Sequence, residues 1–186
     1  MSNLDALKAN VQNICQKYAD RRTRSRRLFL GEQAKVFTQD IDREFDIKSK
    51  VSNIFKIPHS SINFCGSAQL GFSVHKDRLF TPRVSDLDIA CIDTQLFQNA
   101  WSDIIETTRA FTDKSSFTSE AKLLSFKDMI VKRGMILVDQ MPNSDLSLKW
   151  KDDQSVLSRE NSSVFSKITF AIYLNEYAFC WKQDSA

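Results

Sequence analysis

Ile62-Asn63-Phe64-Cys65-Gly66-Ser67 and Ser85-Asp86-Leu87-Asp88-Ile89-Ala90 are the two stretches on which the fold turns. The first is a short apolar run stopped by glycine, which predicts a buried strand over 61–65. The second predicts a strand over 87–92. Side chains alternate along a strand, so Asp86 and Asp88 share one face, about 6–7 Å apart, while Leu87, Ile89 and Cys91 point to the core. Two carboxylates on one face repel each other unless a cation lies between them, and they are hard oxygen ligands of the kind Mg²⁺ or Mn²⁺ takes. Gly66 ends the first strand and opens a helix. Without a Cβ it lets an anion approach the backbone, where the first amides of the helix would meet it and the Ser67 hydroxyl would add a hydrogen bond.

The rest of the chain reads outward from this pair. Upstream, Leu4, Leu7, Val11, Ile14, Cys15 and Tyr18 recur at three- and four-residue steps, which predicts one amphipathic helix from Leu4 to Leu28. A second helical pattern collects Val36, Phe37, Ile41 and Phe45, and a third runs from Ile47 to Phe55 and is ended by Pro58. Downstream, a long helix is expected from Gln95 to Phe111, a polar loop over 112–122, and a strand at Met135-Ile136-Leu137-Val138. Residues 151–163, rich in Asp, Ser and Asn, read as a loop or linker. Ile168 to Leu174 reads as a strand and Glu176 to Lys182 as a helix. The pattern predicts an α+β fold, a mixed sheet flanked by helices, with residues 1–57 as an N-terminal helical extension and 58–186 as the core. There is no internal repeat or low-complexity segment.

Composition narrows the function classes. A chain of 186 residues with 42% hydrophobic residues fits one ordinary domain with enough apolar surface to fold. Only 4 residues are glycine, and Gly66 and Gly71 fall within six positions. The net charge of +3 is uneven, because residues 1–30 carry a net +5 through Lys8, Lys17, Arg21, Arg22, Arg24, Arg26 and Arg27. The four cysteines lie far apart with no CxxC pair, which points to buried thiols in a reducing compartment. Polar Asn3, Asp5 and Asn10 occupy the place of a signal peptide's apolar stretch. The longest apolar run, Phe170 to Leu174, is far short of the ~18 residues that a membrane span needs. A soluble, cytoplasmic protein is expected.

Phe64-Cys65-Gly66-Ser67 followed by Ser85-Asp86-Leu87-Asp88-Ile89 resembles the signature of the DNA polymerase β-type nucleotidyltransferase superfamily, in which an apolar-Gly-Ser strand end precedes an Asp-x-Asp strand. The resemblance spans Ile62 to Asp93, roughly a sixth of the chain. It implies a polymerase β-like core and transfer of an NMP group from an NTP, ATP among them, to an acceptor hydroxyl, with release of pyrophosphate by a two-metal mechanism. Asp86 and Asp88 would hold Mg²⁺ or Mn²⁺, Gly66 and Ser67 would grip the phosphates, and a third carboxylate on a later strand would complete the catalytic set. The sequence departs from the family in the 18 residues between Ser67 and Asp86, a longer connection than in small members, and in lacking an obvious third carboxylate. Asp139 and Asp145 compete for that role. The strand-like run before Asp139, and Pro142 shortly after it, favour Asp139.

The acceptor implied is a nucleic acid, protein or small molecule, its site lent by a protein partner or a second subunit, since the chain has no room for a large helical domain. The alternative is a catalytically inactive protein of the same fold, acting as an antitoxin-like regulatory partner or binding nucleic acid through the arginines of 21–27. Those arginines read equally well as a solvated helix end. Lys76, Arg78 and Arg83 would border a triphosphate, although solvated loop charges suit them as well. His59 and His75 read as surface histidines, and Tyr173, Tyr177 and Trp181 as a packed helix face.

Overall fold

A computed structural model of the chain describes residues 3–184. In chain order the elements are α1 (Asn3–Lys17), α2 (Arg21–Ser25), α3 (Ile41–Phe55), β1 (Ile62–Cys65), α4 (Gly66–Leu70), β2 (Phe72–Ser73), β3 (Arg78–Leu79), β4 (Leu87–Ile92), α5 (Thr94–Thr107), α6 (Glu120–Arg133), β5 (Met135–Leu137), α7 (Asp145–Glu160), β6 (Ile168–Tyr173) and α8 (Glu176–Asp184). Four strands form a mixed sheet in the order β1-β4-β6-β5, and β2 pairs with β3 as a separate hairpin. β4 runs antiparallel to β1 and parallel to β6, and β5 is the antiparallel edge. The protein is therefore α+β, with helices on both faces of a small sheet.

Local chemistry fixes where the helices begin. The Asp40 carboxylate accepts from the Arg43 amide to start α3, Asp93 from the Leu96 amide to start α5, and Ser119 from the Lys122 amide to start α6. In α7, Ser144 and Ser147 cap each other's backbone reciprocally. Gly134, at φ 57°, ends α6 in the left-handed conformation that glycine adopts without steric cost.

The sheet divides the core in two. Leu87, Ile89, Ile168, Phe170, Ile172 and Phe64 pack against α3 and α7 residues such as Ile47, Val51, Phe55, Trp150 and Leu157. Each fully buried side chain of this size contributes about 1.5–3 kcal/mol. On the opposite face Cys65, Ala90, Ala171, Tyr173 and Met135 meet Ile14, Leu28, Phe29, Phe179 and Cys180. Residues 3–57 thus pack on both faces, α3 on the first and α1 and α2 on the second.

Several expectations are corrected. The stripe from Leu4 to Leu28 is not one helix. It breaks at 18–20, where the Asp20 carboxylate accepts from the Thr23 amide and restarts the chain as α2, followed by a π-helical turn over Arg26–Leu30. Val36 and Phe37 lie in a 3₁₀ turn, whereas Ile41 and Phe45 begin α3 and are exposed. Residues 151–160 continue α7, and Asp145 lies in its first turn, so that segment is neither linker nor strand. Two helices, α6 and α7, therefore flank β5, where the sequence order suggested two successive strands. Among the described residues no helix is long and apolar enough to cross a membrane.

Candidate functional site

β1 and β4 bring the two sequence stretches together at one end of the sheet, where Cys65 pairs with Asp88. Gly66 follows at φ 65°, and a Cβ placed there would stand 2.8 Å from Asp88 Oδ2. Only glycine lets that carboxylate lie flat against the turn. Ser67 follows in α4, a single short helix of 5 residues.

On the other side of β4, parallel pairing sets Thr169 of β6 opposite Asp88, and the Thr169 hydroxyl donates to Asp88 Oδ1 at 2.7 Å. Burial raises the Asp88 carboxyl above its ordinary range, the charge of Asp86 adds to this, and the Thr169 bond opposes it. Asp86 immediately precedes β4, is exposed, and accepts a hydrogen bond from the Ser166 hydroxyl. Backbone bonds from Leu87 N to Lys167 O at 2.8 Å and from Ser166 N to Ser85 O at 3.1 Å hold the two strand ends together.

Asp139 does not join this pair. It sits in a 3₁₀ turn after the edge strand β5, accepting from Gln154 Nε2 at 2.7 Å and from the Lys167 ammonium. Burial alone would raise its carboxyl, yet these bonds outweigh it and hold the group below its ordinary range. Asp145 is exposed at the start of α7. Among the described residues no three His, Cys, Asp or Glu side chains gather closely enough to hold a metal ion. The donor set at the sheet end is two carboxylates with the Ser67, Thr169 and Ser166 hydroxyls around them. That suits one Mg²⁺ shared with phosphate oxygens and water, because Mg²⁺ is commonly bound through one or two carboxylates plus substrate phosphates. It does not suit a pair of metals bridged by three carboxylates.

The second sheet face opens into a cleft of about 460 Å³ that begins at Gly66, Ser67 and Asp88 and runs under α1, α2, α6 and α8. Its walls are mostly apolar: Leu28, Leu70, Phe72, Met129, Met135 and Tyr173 among others. No protein-family model, curated protein or solved structure matches this chain.

The five arginines of the basic N-terminal segment share three carboxylates. Arg21 and Arg24 pair with Asp184, Arg22 and Arg26 with Glu176, and Arg27 with Glu32. The pairs to Asp184 and Glu176 fasten α2 and the following turn to α8. Tyr177 and Trp181 are not a packed face as the sequence suggested. They are 58% and 48% exposed, stack on each other at 6.2 Å, and carry Arg22 and Arg21 over their rings, whereas Tyr173 is buried in β6. The loop charges separate: Arg78 lies in the β2–β3 hairpin, Asp77 pairs with Lys8, and Arg83 Nε donates to Ser163 O at 3.3 Å. His75 lines the cleft mouth, and the buried thiols of Cys65 and Cys91 are pushed well above their ordinary range.

Sequence reasoning missed Thr169, Ser166, Arg133 and Lys182. A signal for the first two was present: Ile168-Thr169-Phe170-Ala171-Ile172-Tyr173 is nearly continuous in apolar residues, the mark of a central parallel strand buried on both faces. It placed β6, not β5, beside β4.

Proposed function

We propose that this chain binds a nucleoside triphosphate together with one divalent cation at the sheet end formed by Gly66, Ser67, Asp86 and Asp88, through a nucleotidyltransferase-type core, and that it holds the nucleotide without transferring it. The observation that carries the reading is the contact between Gly66 and Asp88, which joins the Gly-Ser turn to the carboxylate pair in a single surface. Asp86 and Asp88 would hold the cation, which supplies positive charge to offset the triphosphate. Ser67 would donate its hydroxyl to a phosphate oxygen, and the bare Gly66 backbone leaves room for that oxygen to approach. Thr169 keeps the Asp88 carboxylate oriented by its hydrogen bond.

The position next to Asp88 weighs against transfer. There the chain has Thr169, a hydroxyl without negative charge, while Asp139 is engaged by Lys167 and Gln154. An acceptor hydroxyl at this site has no third carboxylate to draw its proton away. The transferase reading, with Mg²⁺ or Mn²⁺ and Asp139 as third ligand, is favoured by the intact Gly-Ser and Asp-x-Asp residues, and requires Asp139 to leave both partners. The nucleic-acid reading has less support, since the arginines that would track phosphates are paired with Asp184, Glu176 and Glu32.

Incubation with each α-labelled NTP and Mg²⁺ or Mn²⁺, followed by separation of protein, added RNA and small molecules, distinguishes the first two. The reading expects no label in any fraction from a protein that still binds NTP. Label transfer lost in both Asp86→Ala and Asp139→Asn would establish the transferase instead.

A further inference from the structure

The cleft beside the carboxylate pair carries two cations that the nucleotide reading does not use. Arg133, at the end of α6, and Lys182, in α8, both line it, and both are partly buried. Neither side chain makes a hydrogen bond or ion pair within the described residues. This contrasts with Arg21, Arg22, Arg24, Arg26 and Arg27, which all have carboxylate partners. Burial lowers the Lys182 ammonium from its ordinary range, and the charge of Arg133 is the next largest cause; Cys65 and Asp88 act in the opposite sense. The remaining acid in this part of the cleft, Asp184, is already held by Arg24 at 2.7 Å. Two like charges left together in an apolar setting are costly unless an anion joins them.

Beyond the two cations, the cleft is walled by Met129, Met135, Leu28, Leu70, Phe72 and Tyr173. A volume of about 460 Å³ suits a small organic molecule. Methionine and leucine walls adapt to flexible apolar chains.

We propose that this cleft is a binding site for a small amphipathic anion, distinct from the nucleotide, whose carboxylate or phosphate is held between Arg133 and Lys182 and whose apolar body lies along the Met129 and Met135 wall. The charge complementarity selects the anion, and the lining selects the apolar body. The two cations line the same cleft as Gly66, Ser67 and Asp88, but neither is among the residues that the nucleotide reading assigns to phosphate or cation, so the two sites can be tested separately.

Calorimetric titration with decanoate, decyl phosphate and decanol tests this on the full chain. Saturable binding of at least one of the anions, with decanol at least about tenfold weaker or absent, is the expected result, since decanol lacks the charge-assisted contact. The comparison of decanoate with decyl phosphate tells which headgroup is taken. Arg133→Gln/Lys182→Gln should abolish the preference for the anion while leaving the unliganded melting temperature unchanged or higher, because it removes two like charges that have no hydrogen bond or ion pair among the described residues. Cys15→Trp, at an exposed α1 position on the cleft wall, should weaken all three ligands by filling the space without disturbing the core. Asp86→Ala/Asp88→Ala and saturating MgATP should leave anion binding in place. Absence of binding, equal affinity for decanol and the anions, or displacement by MgATP would overturn the proposal.

Discussion

On one face of the sheet, alternate residues of β4 and β6 are Leu87, Ile89 and Cys91 and Ile168, Phe170 and Ile172, each at 1% exposure or less. On the other they are Asp88, Ala90 and Ile92 and Thr169, Ala171 and Tyr173. The first set fills the space under α3 and α7 and leaves no room for solvent. The second mixes small and polar side chains, so helices α1, α2 and α8 rest on it without closing it, and a cleft remains. The same strands thus provide rigidity through one face and a place for chemistry through the other. Side-chain volume decides which face does which.

The largest expected effect lies on the filled face. Phe170→Ala should cost about 3–5 kcal/mol in chemical denaturation, since it empties a site packed on Phe55 at 5.1 Å. A loss under about 1 kcal/mol would mean that this face is as loosely packed as the other.

Gly66→Ala sharpens the comparison at the open face. An alanine at φ 65° costs roughly 1–2 kcal/mol in backbone strain, and its Cβ would meet Asp88 Oδ2 at 2.8 Å. Stability should fall by about 2 kcal/mol. Combination with Asp88→Ala should recover part of that loss, because the two residues touch; strictly additive losses would show that the contact does not matter.

Thr169→Asp places a third carboxylate beside Asp88. Without cation it should lower stability by about 2 kcal/mol through like-charge repulsion and the lost hydroxyl bond. Mn²⁺ should restore more stability to this variant than to the wild type. Equal responses to Mn²⁺ would mean that position 169 does not face the pair.

The filled face was the more legible of the two in the sequence. Strands β1, β4 and β6 stand where apolar runs end at Gly66, Asp93 and Asn175, because a buried strand leaves no alternative reading of such runs. α7 was hidden, since two of its buried positions are Ser147 and Gln154, which break the apolar stripe that Trp150 and Leu157 would otherwise show. Their burial is stabilised by hydrogen bonds to Pro142 O and Phe170 N, contacts made only once the chain has folded. The break at Asp20 was hidden for the opposite reason: apolar spacing continues across it, and only the Asp20 cap interrupts the helix. At the site, Gly66, Ser67, Asp86 and Asp88 were legible because they are local in sequence. The neighbour of Asp88 depends on which distant strand pairs with β4, and the nearly unbroken apolar run of 168–173 is the one local sign of that pairing.

The smallest effect belongs to Asp139, which lies outside the pair. Its carboxyl is held below the ordinary value of 3.8 by Lys167 and Gln154, so its contribution is present above that pH and is lost as pH falls through the lower folded value. Because the side chain is 38% exposed, Asp139→Asn should cost only about 0.5 kcal/mol at pH 7. The difference from wild type should vanish once the pH lies below the lowered folded value. A loss of several kcal/mol would give Asp139 a role that its surroundings do not indicate.

Calorimetric titration of ATP, GTP, CTP and UTP into the wild type and Asp86→Ala/Asp88→Ala, with Mg²⁺ or with EDTA, tests the central claim most directly. The account predicts saturable binding of at least one triphosphate to the wild type in Mg²⁺, lost in EDTA and in the double variant. Equal binding by the double variant, or no triphosphate bound by the wild type, would contradict it.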